Sequence, residues 1–311
     1  MILVTDTTTF AGRAIVRRLV AEQRDVRCLL QPSRRELRLP TGISVSTVSA
    51  SMSDLPALRT SLQGVKAVVH MMGDFRLDPD RFVEDHPEET VNLLTAMQEV
   101  GVERLVYLSR FGADQASAYT LLRAYGETEA TVRQAGLRTT ILHPTVTYGP
   151  GDTFLSTVAM VAKVMPFVFA VPDAGLSRFQ PLWIEDLAMA VSIALDDDRL
   201  VGKTTPLGGP EHFTLTQIVT ETLGALGVRR ALVRVPLPWM RMASRLLDLV
   251  LPRNPVPLWM LEILTAGSAT DLGTIPRDFG FEPCRFTHGL DYLRQSHPWR
   301  REFLRFILGL S

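Results

Sequence analysis

Residues 4–12 read VTDTTTFAG, and the reading of this stretch decides the fold. The apolar run Ile2-Leu3-Val4 enters it. A segment with Ala14, Ile15, Leu19 and Val20 on one side and Arg13, Arg17 and Arg18 on the other leaves it. An apolar strand, a short loop and an amphipathic helix form the local frame of a phosphate-binding turn. Such a turn wants glycine where the backbone must bend tightly and approach a pyrophosphate, and only Gly12 is present.

Downstream the same alternation continues to about residue 145. Strands are expected near 1–5, 26–30, 43–48, 66–70, 104–108 and 138–142, and helices near 11–22, 54–62, 84–100 and 118–135. The runs VRCLL, AVVHMM and LVYLS lack period-two alternation, as strands covered on both faces do. The expected fold class is therefore α/β, a doubly wound parallel sheet. After Gly149-Pro150-Gly151 the rhythm shifts to longer helices and proline-rich joints. This divides the chain into a Rossmann-like domain over 1–150, a smaller α/β lobe over 151–298 and an amphipathic helix over 299–311.

Composition narrows the function. The chain has 311 residues, 46% hydrophobic, with 33 basic against 33 acidic side chains. No overall basic field points to nucleic acid. Cys28 and Cys284 suit neither a disulfide framework nor a metal cluster, and the six histidines lack ligand spacing. The start goes straight into a strand, which reads as cytoplasmic. The apolar window 156–172 is interrupted by Lys163 and Pro166 and is too short to span a bilayer.

In order and spacing, VTDTTTFAGRAIVRRL, GVKAVVHMMG (64–73), VERLVYLSRFGAD (102–114), ETEATVRQAGLRTTILHPTVTYGPGD (127–152), RFQPLWIEDLAMAV (178–191) and LGGPEHFTLTQIV (207–219) resemble the extended or atypical short-chain dehydrogenase/reductases. Within that family they are similar to the NAD(P)-binding accessory subunits of respiratory complex I and their bacterial relatives. The resemblance covers nearly the whole chain and implies NADP or NAD as cofactor. Carried over position by position, it places nucleotide contacts at Thr9, Phe10, Ala11, Gly12, Gln31, Arg34, Arg35, Met71 and Met72.

Several positions depart from the family pattern. The first loop glycine falls on Asp6 and the second on Thr9. A carboxylate about 6 Å from a phosphate charge costs roughly 2–3 kcal/mol at an effective dielectric of 20. The family's Gly-Asp after the third strand reads Ala50-Ser51, and a small residue at the end of the fourth reads Met72. The catalytic tyrosine and the lysine four residues later fall on Leu121 and Tyr125. Ser109 remains, and Tyr119 and Arg123 form an offset pair, so Ser109, Tyr119 and Tyr125 are the candidate catalytic residues. Glu185-Asp186 reads as a helix-capping pair.

Two further segments are amphipathic. PWMRMASRLLDLVL (238–251) reads as ordinary core packing. WRREFLRFILGLS (299–311) combines Trp, Phe and Leu with arginines, as a partner-docking or membrane-surface helix does. The expectation is a non-catalytic accessory, assembly or stabilising subunit of a membrane-associated electron-transfer complex. It would be cytoplasmic, peripheral at the inner membrane face, with nucleotide binding weakened or lost, and would meet protein subunits through the second lobe and residues 299–311. The alternatives are an active NAD(P)-dependent reductase, epimerase or isomerase, and a nucleotide sensor that regulates a partner.

Overall fold

The computed structural model describes residues 1–32, 45–71, 79–172, 177–295 and 297–309. In chain order the elements are β1 (Ile2–Val4), α1 (Phe10–Ala21), β2 (Val26–Leu30), β3 (Ser46–Ser49), α2 (Leu55–Ser61), β4 (Ala67–Met71), α3 (Pro79–Val100), β5 (Arg104–Leu108), α4 (Thr120–Gln134) and β6 (Arg138–Pro144). There follow β7 (Thr147–Tyr148), α5 (Phe154–Val164), β8 (Val168–Pro172), β9 (Arg178–Phe179), β10 (Leu182–Trp183), α6 (Ile184–Asp196), β11 (Thr204–Leu207), β12 (Phe213–Thr214) and α7 (Leu215–Ala225). The last are β13 (Ala231–Val235), α8 (Leu237–Val250), α9 (Leu258–Ala266), α10 (Thr274–Phe279), α11 (Asp291–Arg294) and α12 (Trp299–Ile307). Contacts divide the chain into two units, residues 1–144, 184–207 and 273–281, and residues 145–183, 208–272 and 282–311.

The first unit is a seven-stranded parallel sheet in the order β11-β6-β5-β4-β1-β2-β3. Strands β1, β4 and β5 are buried at every residue, which is why their sequences are unbroken apolar runs. β3, the polar STVS, is the edge strand and largely exposed. The strand order reverses between β1 and β4, the switch point where doubly wound sheets open a crevice at their carboxyl ends.

The division differs from the sequence expectation at 150, because two later segments complete the first unit. β11 pairs in parallel with β6, Thr204 opposite Ile141 through Leu207 opposite Pro144. α6 packs on α1, with Arg17 reaching Glu185 at 2.9 Å and Arg24 pairing with Asp196. The buried Arg104 guanidinium binds the carbonyls of Leu195, Ala194 and Arg138 and the Thr140 hydroxyl. A four-residue strand distant in sequence leaves little periodicity to detect. Glu185 and Asp186 lie in the first turn of α6, where the helix dipole favours carboxylates.

The second unit has its own core, built around Tyr148, Leu155, Phe179, Ile218 and Phe286. The window 156–172 is α5 followed by β8, and among the described residues no helix is long and apolar enough to cross a membrane. Thr214 and Gln217 form a capping box that starts α7. Gly209 lies so close to Pro181 that a Cβ would sit 1.9 Å from its carbonyl oxygen.

Both amphipathic readings are corrected. In α12, Trp299 is buried and Phe303 and Phe306 pack on the second unit's core, so most of the face expected to dock a partner is used internally. In α8, read as core packing, Ser244 is the buried residue and the apolar face is exposed. Periodicity identifies an apolar face but not its direction.

Candidate functional site

The loop at the β1–β4 switch point is built on Asp6 and Thr9, where the resemblance leads one to expect glycine. Asp6 adopts a left-handed conformation, φ 49°, which aspartate tolerates better than most residues. Thr9 is the N-cap of α1 with extended angles, φ −71° and ψ 167°. Its hydroxyl donates to the Asp6 carbonyl at 2.8 Å and accepts from the Gly12 amide at 3.1 Å. Gly12 cannot be larger, because a Cβ there would lie 2.2 Å from Asp6 O and 2.9 Å from Thr7 Cα. The surviving glycine therefore serves the close approach of α1 to the loop.

One first-turn donor of α1 is thus already taken by the chain itself. The Phe10 and Ala11 amides are the remaining N-terminal donors for an anion. Met71 is buried at the end of β4, with its Sδ 3.7 Å from the Thr9 hydroxyl oxygen. The structure therefore brings Thr9, Phe10, Ala11, Gly12 and Met71 together. Gln31 follows the end of β2 and is half-buried. Arg34, Arg35 and Met72 lie outside the described residues.

Behind the loop runs a buried polar chain that sequence reasoning missed. Thr5 Oγ1 accepts from the Met71 amide at 3.2 Å and meets His70 Nδ1 at 3.0 Å. His70 Nε2 meets Thr90 Oγ1 at 3.0 Å, and Thr90 meets His86 Nε2 at 3.3 Å. Burial holds His70 down at about 3 and pushes His86 well below its ordinary range. The chain ties β1, β4 and α3 with neutral rings. The only sequence signal was two histidines sixteen positions apart, which shows no pairing.

The catalytic candidates are differently placed. Ser109, at the end of β5, donates its hydroxyl proton to Glu129 Oε1 in a short hydrogen bond. His143 Nε2 reaches the same oxygen at 2.6 Å, and Arg133 reaches Oε2 at 2.9 Å. Ser109 is thus committed to a buried carboxylate. Leu121 and Tyr125, one turn apart on α4, are both buried. Tyr125 interacts with the Arg110 guanidinium, which burial pushes below its usual range. Tyr119 is the N-cap residue of α4, half-buried, its amide bonded to Ser117 Oγ at 3.2 Å. Leu121 and Tyr125, the positions that the resemblance implies for the acid–base pair, hold an alkyl group and a phenol beside a guanidinium. An arginine does not exchange a proton at neutral pH.

With this geometry in view, the comparisons with known proteins fit the fold. Residues 8–158 match the NAD(P)H-binding family. The NADPH-dependent quinone oxidoreductase from Escherichia coli, solved with NADPH, superimposes with a TM-score of 0.76 at 19% identity, over 95% of this chain and all of that one. The chain therefore has a Rossmann-type α/β fold, and its first half matches an NAD(P)H-binding family.

More particularly, it is similar to a subunit of NADH dehydrogenase. It is 27% identical over 263 residues to the mitochondrial NADH dehydrogenase [ubiquinone] 1 alpha subcomplex subunit 9 of Arabidopsis thaliana, covering 82% of this chain and 65% of that protein. It is 27% identical over 192 residues to the Mus musculus subunit of the same name, covering 60% and 48%. The chain spans about half to two thirds of the length of these NADH dehydrogenase subunits.

Proposed function

We propose that this chain is a non-catalytic accessory subunit of a membrane-associated electron-transfer complex, assembling with or stabilising its other protein subunits. The observation that carries the reading is on α4, where Leu121 and Tyr125, which the resemblance aligns with the tyrosine and lysine of active members, are both buried. Without a proton-transferring pair, the frame binds and positions but does not turn over. Similarity to NADH dehydrogenase subunits supplies the class of partner.

The site keeps part of a nucleotide cradle. NADP or NAD, when bound, would supply a hydride carrier, and the Phe10 and Ala11 amides with the α1 N-terminus would hold its pyrophosphate. Gln31, after β2, would face the ribose end. Asp6, Thr9 and Met71 work against this. The carboxylate repels phosphate, the Thr9 hydroxyl already uses the Gly12 amide, and the thioether lies against that hydroxyl.

The test is to isolate the NADH:quinone oxidoreductase of the native host and quantify its subunits, with and without the gene for this chain. The proposal expects the chain in fixed ratio to the complex and impaired assembly when it is missing. A free protein that oxidises or reduces NAD(P)(H) with a carbonyl or quinone substrate, and loses that activity in Tyr119→Phe or Tyr125→Phe, would overturn it.

A further inference from the structure

The amphipathic helix α8 is mounted with its apolar side out. At about 100° per residue, Trp239, Met242, Leu246, Leu249 and Val250 share one third of the helix circumference. Their exposures are 61, 49, 56, 83 and 77%. The opposite side is fastened by polar contacts. The Ser244 hydroxyl donates to Val256 O at 2.8 Å, and Asn254 Nδ2 reaches Ser244 O at 3.0 Å and Asp248 Oδ1 at 2.9 Å. Rolling the helix to hide its apolar side would break these bonds.

Charge selects the occupant. Residues 229–253 contain six arginines and one aspartate, in a chain that is neutral overall. Arg229, Arg234, Arg241 and Arg245 are exposed and make no ion pair among the described residues. A protein groove would have to offer an apolar trough and several carboxylates at matching positions. An anionic lipid surface offers both along any line. The helix has 14 residues, about 21 Å, long enough to lie on a bilayer but not to cross it.

We propose that α8 is a membrane-surface helix for anionic lipid. Trp239, Leu246, Leu249 and Val250 enter the acyl boundary, while Arg241 and Arg245 stay at the headgroup phosphates. This goes beyond the accessory role and does not depend on whether the 4–12 loop takes a nucleotide.

The experiment is flotation of the full chain with vesicles of pure phosphatidylcholine and with vesicles containing phosphatidylglycerol, at low and high salt. The expected result is binding to the anionic vesicles at least about tenfold stronger than to the neutral ones, weakened by salt. Leu246→Glu with Val250→Glu abolishes it. Arg241→Gln and Arg245→Gln each weaken it by about fivefold. Both glutamates replace exposed residues, so an unchanged denaturation midpoint confirms the fold.

A chain that stays in solution with every vesicle overturns the proposal. So does binding indifferent to the glutamate pair, or a face that only self-associates or takes up a purified protein. Flotation reads lipid alone, so its failure leaves the accessory reading to be judged on the isolated complex.

Discussion

Gly12→Ala is the sharpest perturbation of the loop, because the added carbon meets backbone and not a side chain. Its Cβ would stand 2.2 Å from Asp6 O, 2.9 Å from Thr7 Cα and 3.0 Å from Asp6 C. These atoms are held by the Thr9 amide and hydroxyl on the Asp6 carbonyl, so they cannot yield without losing the α1 cap. Overpacking costs about 1–3 kcal/mol, and a backbone clash belongs at the upper end. Alanine returns up to about 1 kcal/mol of helix propensity. The expected net loss is about 2 kcal/mol, or roughly 4–8 °C in Tm for a unit of this size. Urea and thermal denaturation of Gly12→Ala beside the unmutated chain would measure it. Gly224→Ala is the matched control, since nothing lies within 4 Å of that added carbon in the last turn of α7. It should gain about 0.5–1 kcal/mol. A Gly12→Ala protein as stable as its parent would refute the claim that this glycine is kept for helix–loop packing.

Three further outcomes follow from the buried groups. Glu129→Ala strips Ser109, His143 and Arg133 of a shared acceptor and should cost about 2–4 kcal/mol in urea unfolding. Stability should fall on acidification, because the unfolded chain protonates His70 near 6.5 while the folded chain resists to about 3. The stabilisation is complete above 6.5 and is lost as pH drops through that window. It amounts to about 2 kcal/mol by pH 5 for His70, with His86 adding in the same direction; a flat urea midpoint between pH 7.5 and pH 5 would contradict this. With Ellman's reagent at pH 8, one thiol should react in the native protein. Cys284 is partly exposed, whereas burial pushes the Cys28 thiol up to about 11, so Cys28 should appear only on unfolding.

The parallel sheet was legible because its strands are buried on both faces and its helices carry clear apolar stripes. β2 and β5 fall on VRCLL and RLVYL as expected, and α1 begins one residue before its expected start. The contribution of 184–207 to the first unit was not legible. A four-residue strand and the contacts of one buried arginine leave no periodic trace. At the site, the residue types at positions 6, 9, 121 and 125 could be read directly, while the roles expected of those positions rest on the resemblance. The Thr9 cap, the Ser109–Glu129–His143 cluster and the histidine chain could not, because they join residues far apart in sequence through side-chain direction. The same limit reversed the reading of α8 and α12: both patterns are amphipathic, and only tertiary contacts tell which face the protein covers.

On the proposed reading, the 4–12 loop keeps the Rossmann frame while its nucleotide grip is reduced. The most direct measurement is nucleotide content after purification without added cofactor, read by mass spectrometry of the denatured supernatant. It would be paired with NADPH and NADH titration of the chain and of the Asp6→Gly, Thr9→Gly variant. The expected result is an essentially empty protein with weak titration, and at least about tenfold tighter binding in the variant as the repulsive carboxylate and the self-cap are removed. Near-stoichiometric NADP(H) on the purified parent, with no gain from the double substitution, would contradict it.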